Sequence, residues 1–164
     1  MVQHYGYRTT DGWAKIYRHN VAGGYWSNAS SWAEVRQSNI DNPNADKYSQ
    51  LFKLNSNFLI NGEYVFKMYM PDDGTTNIWA QTHNPLENAP TAATVPGYRA
   101  ISIDSSANAW GGLSLSDGTS SFIDGNPANT NWFYPLGSTA AWNSGIPAHL
   151  ATGIPILELY VRIR

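Results

Sequence analysis

Glu63-Tyr64-Val65-Phe66-Lys67-Met68-Tyr69-Met70, followed at once by Pro71-Asp72-Asp73-Gly74, is the segment whose reading sets the fold class. Tyr64, Phe66, Met68 and Met70 alternate with Val65, Lys67 and Tyr69, which is the period-two pattern of a strand with one face in a core. The Pro-Asp-Asp-Gly run that follows supplies turn chemistry, because Asp carboxylates cap nearby backbone amides and Gly accepts a left-handed backbone. The same reading applies to the last eleven residues. There Leu157, Leu159, Val161 and Ile163 share one face, and Glu158, Tyr160, Arg162 and Arg164 the other. A chain that stops inside such a strand implies a terminus pinned in a sheet, and hence the natural C-terminal end of a parent protein.

Working outward, further strands are expected at Trp13–His19, Asn57–Ile60, Asn77–Gln81, Arg99–Asp104, Gly112–Leu115, Ser121–Ile123 and Trp132–Tyr134. They are short and divided by Gly, Pro, Asn and Ser clusters, the pattern of an antiparallel β-sandwich. The expected class is therefore all-β, a jelly-roll-like sandwich with at most one or two short helical turns. The helical competitor is Asn44–Leu54, which places Ala45, Tyr48, Leu51 and Phe52 at helical spacing behind Asn44 as N-cap. No internal repeat or heptad register is present. We read residues 13–164 as a single β-sandwich domain and residues 1–12 as a linker.

Seventeen Trp and Tyr residues stand beside 56 Gly, Ser, Thr and Asn residues, with no cysteine. Leu, Ile, Val and Phe total 32, a thin supply for a core of this size. Each buried Trp or Tyr removes about 150–250 Å² from water, so aromatic rings must make up the deficit. Charged residues are 13% of the chain and the formal net charge is −2, which excludes the concentrated basic excess of a nucleic-acid partner. No apolar run approaches the ~20 residues of a spanning helix, so membrane insertion is not expected, and Met1-Val2-Gln3-His4 lacks the blocks of a signal peptide. Zero cysteine removes disulfides and thiolate chemistry and suits folding in a reducing cytoplasm.

The charged residues do not assemble a familiar catalytic or metal motif. Asp72-Asp73 is read as a turn. The densest oxygen cluster, Asp41-Asn42-Pro43-Asn44-Ala45-Asp46, fails the EF-hand pattern, because Pro43 stands at the third ligand position and no glutamate follows at the twelfth. Asp41, Asn44 and Asp46 are retained as an alternative calcium set in an irregular loop, against a capped turn. His4, His19, His83 and His149 show no zinc spacing, and Gly23-Gly24 and Gly111-Gly112 lack the Lys and helix of a phosphate loop. Asn28-Ala29-Ser30 matches a glycosylation sequon. No cofactor is expected.

Between Trp110 and His149 the chain instead alternates rings with amides and carboxylates: Trp110-Gly111-Gly112, Asp124-Gly125-Asn126-Pro127, Asn129-Thr130-Asn131-Trp132 and Trp142-Asn143-Ser144-Gly145. Sugars are held by this combination, a ring face against the C–H face of a pyranose and planar Asn or Asp groups bridging hydroxyls. The expected ligand-binding set is Trp110, Asp124, Asn126, Asn131, Trp142, Asn143 and His149. The competing role for each ring is core filling, and Trp132-Phe133-Tyr134 must bury at least one face.

Several phrases then occur in order: Trp13-Ala14-Lys15-Ile16-Tyr17 with Asn20-Val21-Ala22-Gly23-Gly24, Gly97-Tyr98-Arg99-Ala100-Ile101-Ser102-Ile103-Asp104, Trp110-Gly111-Gly112-Leu113, Phe122-Ile123-Asp124-Gly125, Asn131-Trp132-Phe133-Tyr134-Pro135-Leu136-Gly137, Gly145-Ile146-Pro147 and Glu158-Leu159-Tyr160-Val161-Arg162. The series resembles the C-terminal receptor-binding head domain of bacteriophage tail fibres, and a similar module in secreted animal adhesive proteins. The resemblance implies a homotrimeric β-structured fibre tip, non-enzymatic, made in the bacterial cytoplasm, that attaches the virion to host surface polysaccharide or protein. It would make residues 13–164 the head domain and residues 1–12 its connection to an upstream stalk. It brings no binding-residue motif with it, so the site residues above rest on their chemistry. Two alternatives stand beside this one: a secreted calcium-assisted lectin or adhesion module, and a polysaccharide-degrading enzyme using a pair such as Asp104 and Asp124.

Overall fold

The computed structural model of the chain describes residues 9–27, 32–104, 110–116, 120–128 and 132–163. Within them lie nine strands: β1 (Thr9–Thr10), β2 (Trp13–Asn20), β3 (Lys47–Ser49), β4 (Tyr64–Met70), β5 (Thr75–Gln81), β6 (Arg99–Ser102), β7 (Ser114–Leu115), β8 (Ile123–Asp124) and β9 (Ile156–Arg162). One sheet runs in the order β1-β2-β9-β4-β5-β6 with β3 also paired to β2, and β7-β8 form a second, two-stranded sheet. Every pairing between these strands is antiparallel. The fold is all-β and sandwich-like, its second layer completed by irregular chain around β7-β8.

The two strands that carried the sequence argument lie side by side at the centre of the large sheet, with Phe66 opposite Val161 and Met68 opposite Leu159. Their alternation is realised as burial: Tyr64, Phe66, Met68 and Met70 are buried and Val65, Lys67 and Tyr69 are not. The β4–β5 turn forms as its residues require. Gly74 takes φ 77°, and the Asp73 carboxylate accepts the Thr75 amide at 2.9 Å.

Strand β2 departs from strict alternation at one point. Its register with β9 shifts between Lys15 and Tyr17, a bulge that makes Ile16 an extra inward residue beside Tyr17, both fully buried. The same bulge returns Lys15 and Arg18, three positions apart, to one outer face.

The layers are joined by aromatic rings and one amide. Trp79 of β5 meets Trp110 edge-on at 4.9 Å, and Trp110 meets Tyr134 at 5.5 Å. Gln81, fully buried, accepts from Trp79 Nε1 at 2.8 Å and from the Leu113 amide at 3.0 Å, while its Nε2 donates to the carbonyls of His83 at 2.7 Å and Leu113 at 2.9 Å. Its amide is thus satisfied at both ends, as burial demands. Tyr17 does the same from β2, its hydroxyl accepting Trp26 Nε1 at 3.1 Å and the Gly137 amide at 2.8 Å.

Three expectations are corrected. Asn57–Ile60 is not a strand: Ser56–Phe58 is a 3-10 turn, because the Asn55 side chain accepts the Asn57 amide at 2.9 Å. Trp132–Tyr134 is irregular, with Tyr134 at φ 46°. Asn44–Leu54 is not an α-helix, since Lys47–Ser49 pairs with β2 and only Leu51–Lys53 makes a 3-10 turn; cross-strand bonding overrides the helical spacing. A five-residue helix, α1 (Trp32–Arg36), was not anticipated. The sheet also extends into the linker segment, where Thr9 and Thr10 pair with Ala14 and Trp13. The sequon Asn28-Ala29-Ser30 lies outside the described residues.

Gly125 sits where any side chain would collide, its missing Cβ facing the Trp110 ring and the Phe133 carbonyl. Replacing Gly125 with Ala therefore drives a methyl group between the layers. We expect a loss of about 1–3 kcal/mol, read as a lower urea midpoint at unchanged slope; an unaltered midpoint would show that Trp110 can move aside.

Candidate functional site

The Trp110–His149 residues are dispersed by the fold. Trp110 is 7% exposed and is committed to the interlayer ring contacts. Asp124, on β8, uses Oδ1 to accept the amides of Asn126 at 3.0 Å and Phe133 at 2.8 Å, so it organises a turn. Burial raises its pKa to about 6, against the lowering effect of those amides. Asn126 is fully buried. Asn131 lies outside the described residues. Trp142 is half exposed and stands edge-on to Trp132 at 5.9 Å, and Asn143, at φ 54°, forms the tip of the Trp142–Gly145 hairpin while donating to the Ala151 carbonyl. Among the described members of the set, only this hairpin tip offers surface.

His149 belongs to a relay of its own. Its Nε2 lies 2.6 Å from Asp73 Oδ2 and its Nδ1 lies 3.0 Å from the Tyr134 hydroxyl. An ionised carboxylate can only accept, so Nε2 donates to Asp73, while Nδ1 and the Tyr134 hydroxyl share the second hydrogen bond. The bond from His149, joined by the Thr75 amide, holds the Asp73 carboxyl down at about 2. Burial pushes the Tyr134 hydroxyl up to about 12. Because Tyr134 is fully buried, the relay ends in the core, where no substrate meets it, and it latches the β4–β5 turn to the second layer.

The alternative calcium loop already holds a cation of the protein's own. Arg18 Nη1 donates to the Ala45 carbonyl at 2.9 Å and the Asn44 carbonyl at 3.2 Å and approaches Asp46 at 3.7 Å. Asp41 is exposed. Among the described residues no three His, Asp or Glu side chains converge to hold a metal.

A different cluster emerges on the outer face of the large sheet, which no other layer covers among the described residues. A groove of about 390 Å³ crosses β2, β9, β4 and β5, lined by Lys15, Tyr160, Lys67 and Tyr69, with Thr10 and Asp11 of the β1–β2 hairpin at one side and Thr76 at the other. Strand register builds it: Lys15 and Lys67 both stand opposite Tyr160, and Tyr69 stands opposite Thr76. Lys67 Nζ lies 4.6 Å from the Tyr160 ring centre and 4.8 Å from that of Trp13, and the Arg162 guanidinium lies 5.2 Å from Trp13. Lys15 is 5.7 Å from Tyr160. Beneath them Glu158 receives Lys15 Nζ at 3.0 Å, Arg18 Nε at 3.2 Å and the Tyr160 hydroxyl at 2.7 Å. Partial burial lowers the Lys67 pKa. The sequence reading missed this site. Its signal was the solvent side of the two most regular strands, Lys67-Tyr69 and Tyr160-Arg162, where aromatic and basic residues replace the small polar ones of an inert face.

No protein-family model, curated protein or solved structure matches the chain.

The Asp124 environment yields a pH test. A carboxyl raised from 3.8 to about 6 binds more protons folded than unfolded between those values, so its contribution is fully present at low pH and falls as pH rises through 4 to 6. Relative to Asp124→Asn, the wild-type melting temperature should therefore decline from pH 4 to 6 and level off above 7. Parallel melting curves for the two proteins would exclude a perturbed Asp124.

Proposed function

We propose that this chain is a non-enzymatic recognition head that attaches a bacteriophage tail fibre to its host surface, acting as a homotrimer and holding surface polysaccharide in the sheet-face groove. The observation that carries the binding reading is the groove itself, a concave strip that joins Tyr69 and Tyr160 to the donors of Lys15, Lys67 and Thr76, with the Trp13 ring beside it under Lys67. A ligand site of this kind needs apolar surface with a few placed polar groups, and side chains on paired strands hold both with little entropy left to lose on binding. The fibre-tip and trimer parts of the proposal rest on the resemblance of the ordered sequence phrases. Absence of cysteine suits the same setting.

The geometry gives less support to the alternatives. A lectin relying on calcium at Asp41, Asn44 and Asp46 would have to displace Arg18 from two carbonyls of that loop. An enzyme using Asp124 would need a carboxyl that substrate can reach, and Asp124 is 5% exposed and tied to two backbone amides. The Trp142–Asn143 tip is a second exposed aromatic feature, but only one ring there is largely exposed, and no basic residue stands over it among the described contacts.

The test is saccharide-array and host-cell binding by the isolated chain, with light scattering to give the oligomer. Binding by a trimer that falls about tenfold, or about 1.4 kcal/mol, in Tyr69→Ala but not in Trp142→Ala supports the groove. A folded protein that binds no saccharide and no cell surface refutes the proposed role.

A further inference from the structure

We propose that the groove selects a carboxylate-bearing polysaccharide over neutral ones, with Lys67 and Arg162 as the groups that receive its acidic sugars. The inference rests on the saccharide-binding reading above and adds the chemical class of the ligand.

Among the described residues, two of the four cations on this face are already engaged. Lys15 and Arg18 share the Glu158 carboxylate at 3.0 and 3.2 Å, and Arg18 further serves two loop carbonyls. Those two cations are structural. Lys67 and Arg162 are different. Among the described residues Lys67 has no carboxylate within ion-pair distance and no hydrogen-bond acceptor; it is held by the rings of Trp13 and Tyr160. Arg162 rests on Trp13 and makes one long bond, 3.4 Å, to the Asp11 carbonyl. The rings attract the two cations through their π-faces but supply no lone pairs. An ammonium has three donors and a guanidinium five, so both groups present unused donors to whatever enters.

The same geometry works against neutral sugars. Stacking of a pyranose needs a bare ring face, and the faces of Trp13 and Tyr160 carry the protein's own cations. Tyr69 is the groove ring with no such cation over it among the described residues. The groove therefore offers one stacking platform beside a pair of positive donors, a layout that fits a sugar with a carboxylate. Arg162 and Lys67 lie on neighbouring strands, diagonal across the Lys67–Tyr160 pair, at a Cα spacing of roughly 7–8 Å. That spacing lets an oxyanion on one sugar, or oxyanions on adjacent sugars, engage both. Asp11 and Glu158 act on the Lys67 ammonium through space without bonding to it, which leaves its donors open. The lowered Lys67 pKa agrees with an ammonium partly stripped of water, which strengthens any charge-assisted bond it makes.

The experiment is an array of polygalacturonate, alginate, hyaluronan and polysialic acid oligomers, each printed beside its carboxyl methyl ester and with neutral dextran and mannan oligomers. Wild-type protein should retain at least one acidic oligomer and lose it about tenfold on esterification, with similar weakening in Lys67→Met, whose side chain keeps the packing on Trp13 and Tyr160. Capture should also weaken as salt is raised. Equal capture of acid and ester, capture of neutral oligomers alone, or unchanged binding by a folded Lys67→Met protein would overturn the selectivity while leaving saccharide binding in place. Capture of nothing on the array overturns the selectivity, and with no binding to host cells either it overturns the saccharide reading as well. The acid and ester comparison uses wild-type protein alone, so it decides the matter even if the variant folds poorly.

Discussion

The carboxylate of Glu158 is the interaction on which the arrangement of this molecule turns. It sits nearly sealed from water on the outer side of β9 and receives donors from Lys15, Arg18 and Tyr160. A buried carboxylate is tolerated only when its lone pairs are filled, and removing one partner of such a group costs about 3–5 kcal/mol. Lys15 and Glu158 are 143 positions apart in the chain, so satisfying this charge locks the strand near one end of the sequence to the strand near the other. Arg18 then extends the lock sideways, pinning the 44–46 loop through its carbonyls. The cluster exists because the Ile16 bulge places Lys15 and Arg18 on one face. Without the bulge strict alternation would send one of them into the core.

The opposite face of the sheet shows how a chain poor in aliphatic residues fills its interior. Trp79, Trp110 and Tyr134 meet edge-on in sequence across the two layers, an arrangement that places ring edges against ring faces and adds to the area they bury. Gln81 sets the register of those layers by hydrogen bonding, and the Asp73–His149–Tyr134 relay closes one end. The interior polar groups are thus assigned to joining the layers, and that assignment removes Trp110, Asp124 and His149 from the list of residues able to hold a ligand.

The outer face inherits what remains. Trp13, Tyr69 and Tyr160 are held upright by strand pairing, and the cations over two of them leave a surface that is aromatic in shape and positive in charge within a chain of net charge −2. On the reading proposed above, a local positive strip on an otherwise slightly acidic protein would favour a particular anionic partner over general adhesion to polyanions.

The sequence by itself determined the local periods: strands β4 and β9 with their inward and outward residues, the Pro71–Gly74 turn, the antiparallel all-β class and the need for rings in the core. Those features depend on neighbours a few positions apart, which sequence displays directly. It misread Asn44–Leu54 because the pairing of Lys47–Ser49 with β2 is a bond to residues some thirty positions away. The proposed groove lay outside its candidate residues for a related reason. Trp110 and Trp142 look alike as rings in loop-rich sequence, and only packing buries one against Gly125 and leaves the other half exposed. The groove was decided entirely by tertiary structure, since Trp13, Lys67 and Tyr160 converge only when β9 is seated between β2 and β4. Side-chain alternation is a property of one strand, whereas a binding surface is a property of the order in which strands are laid together.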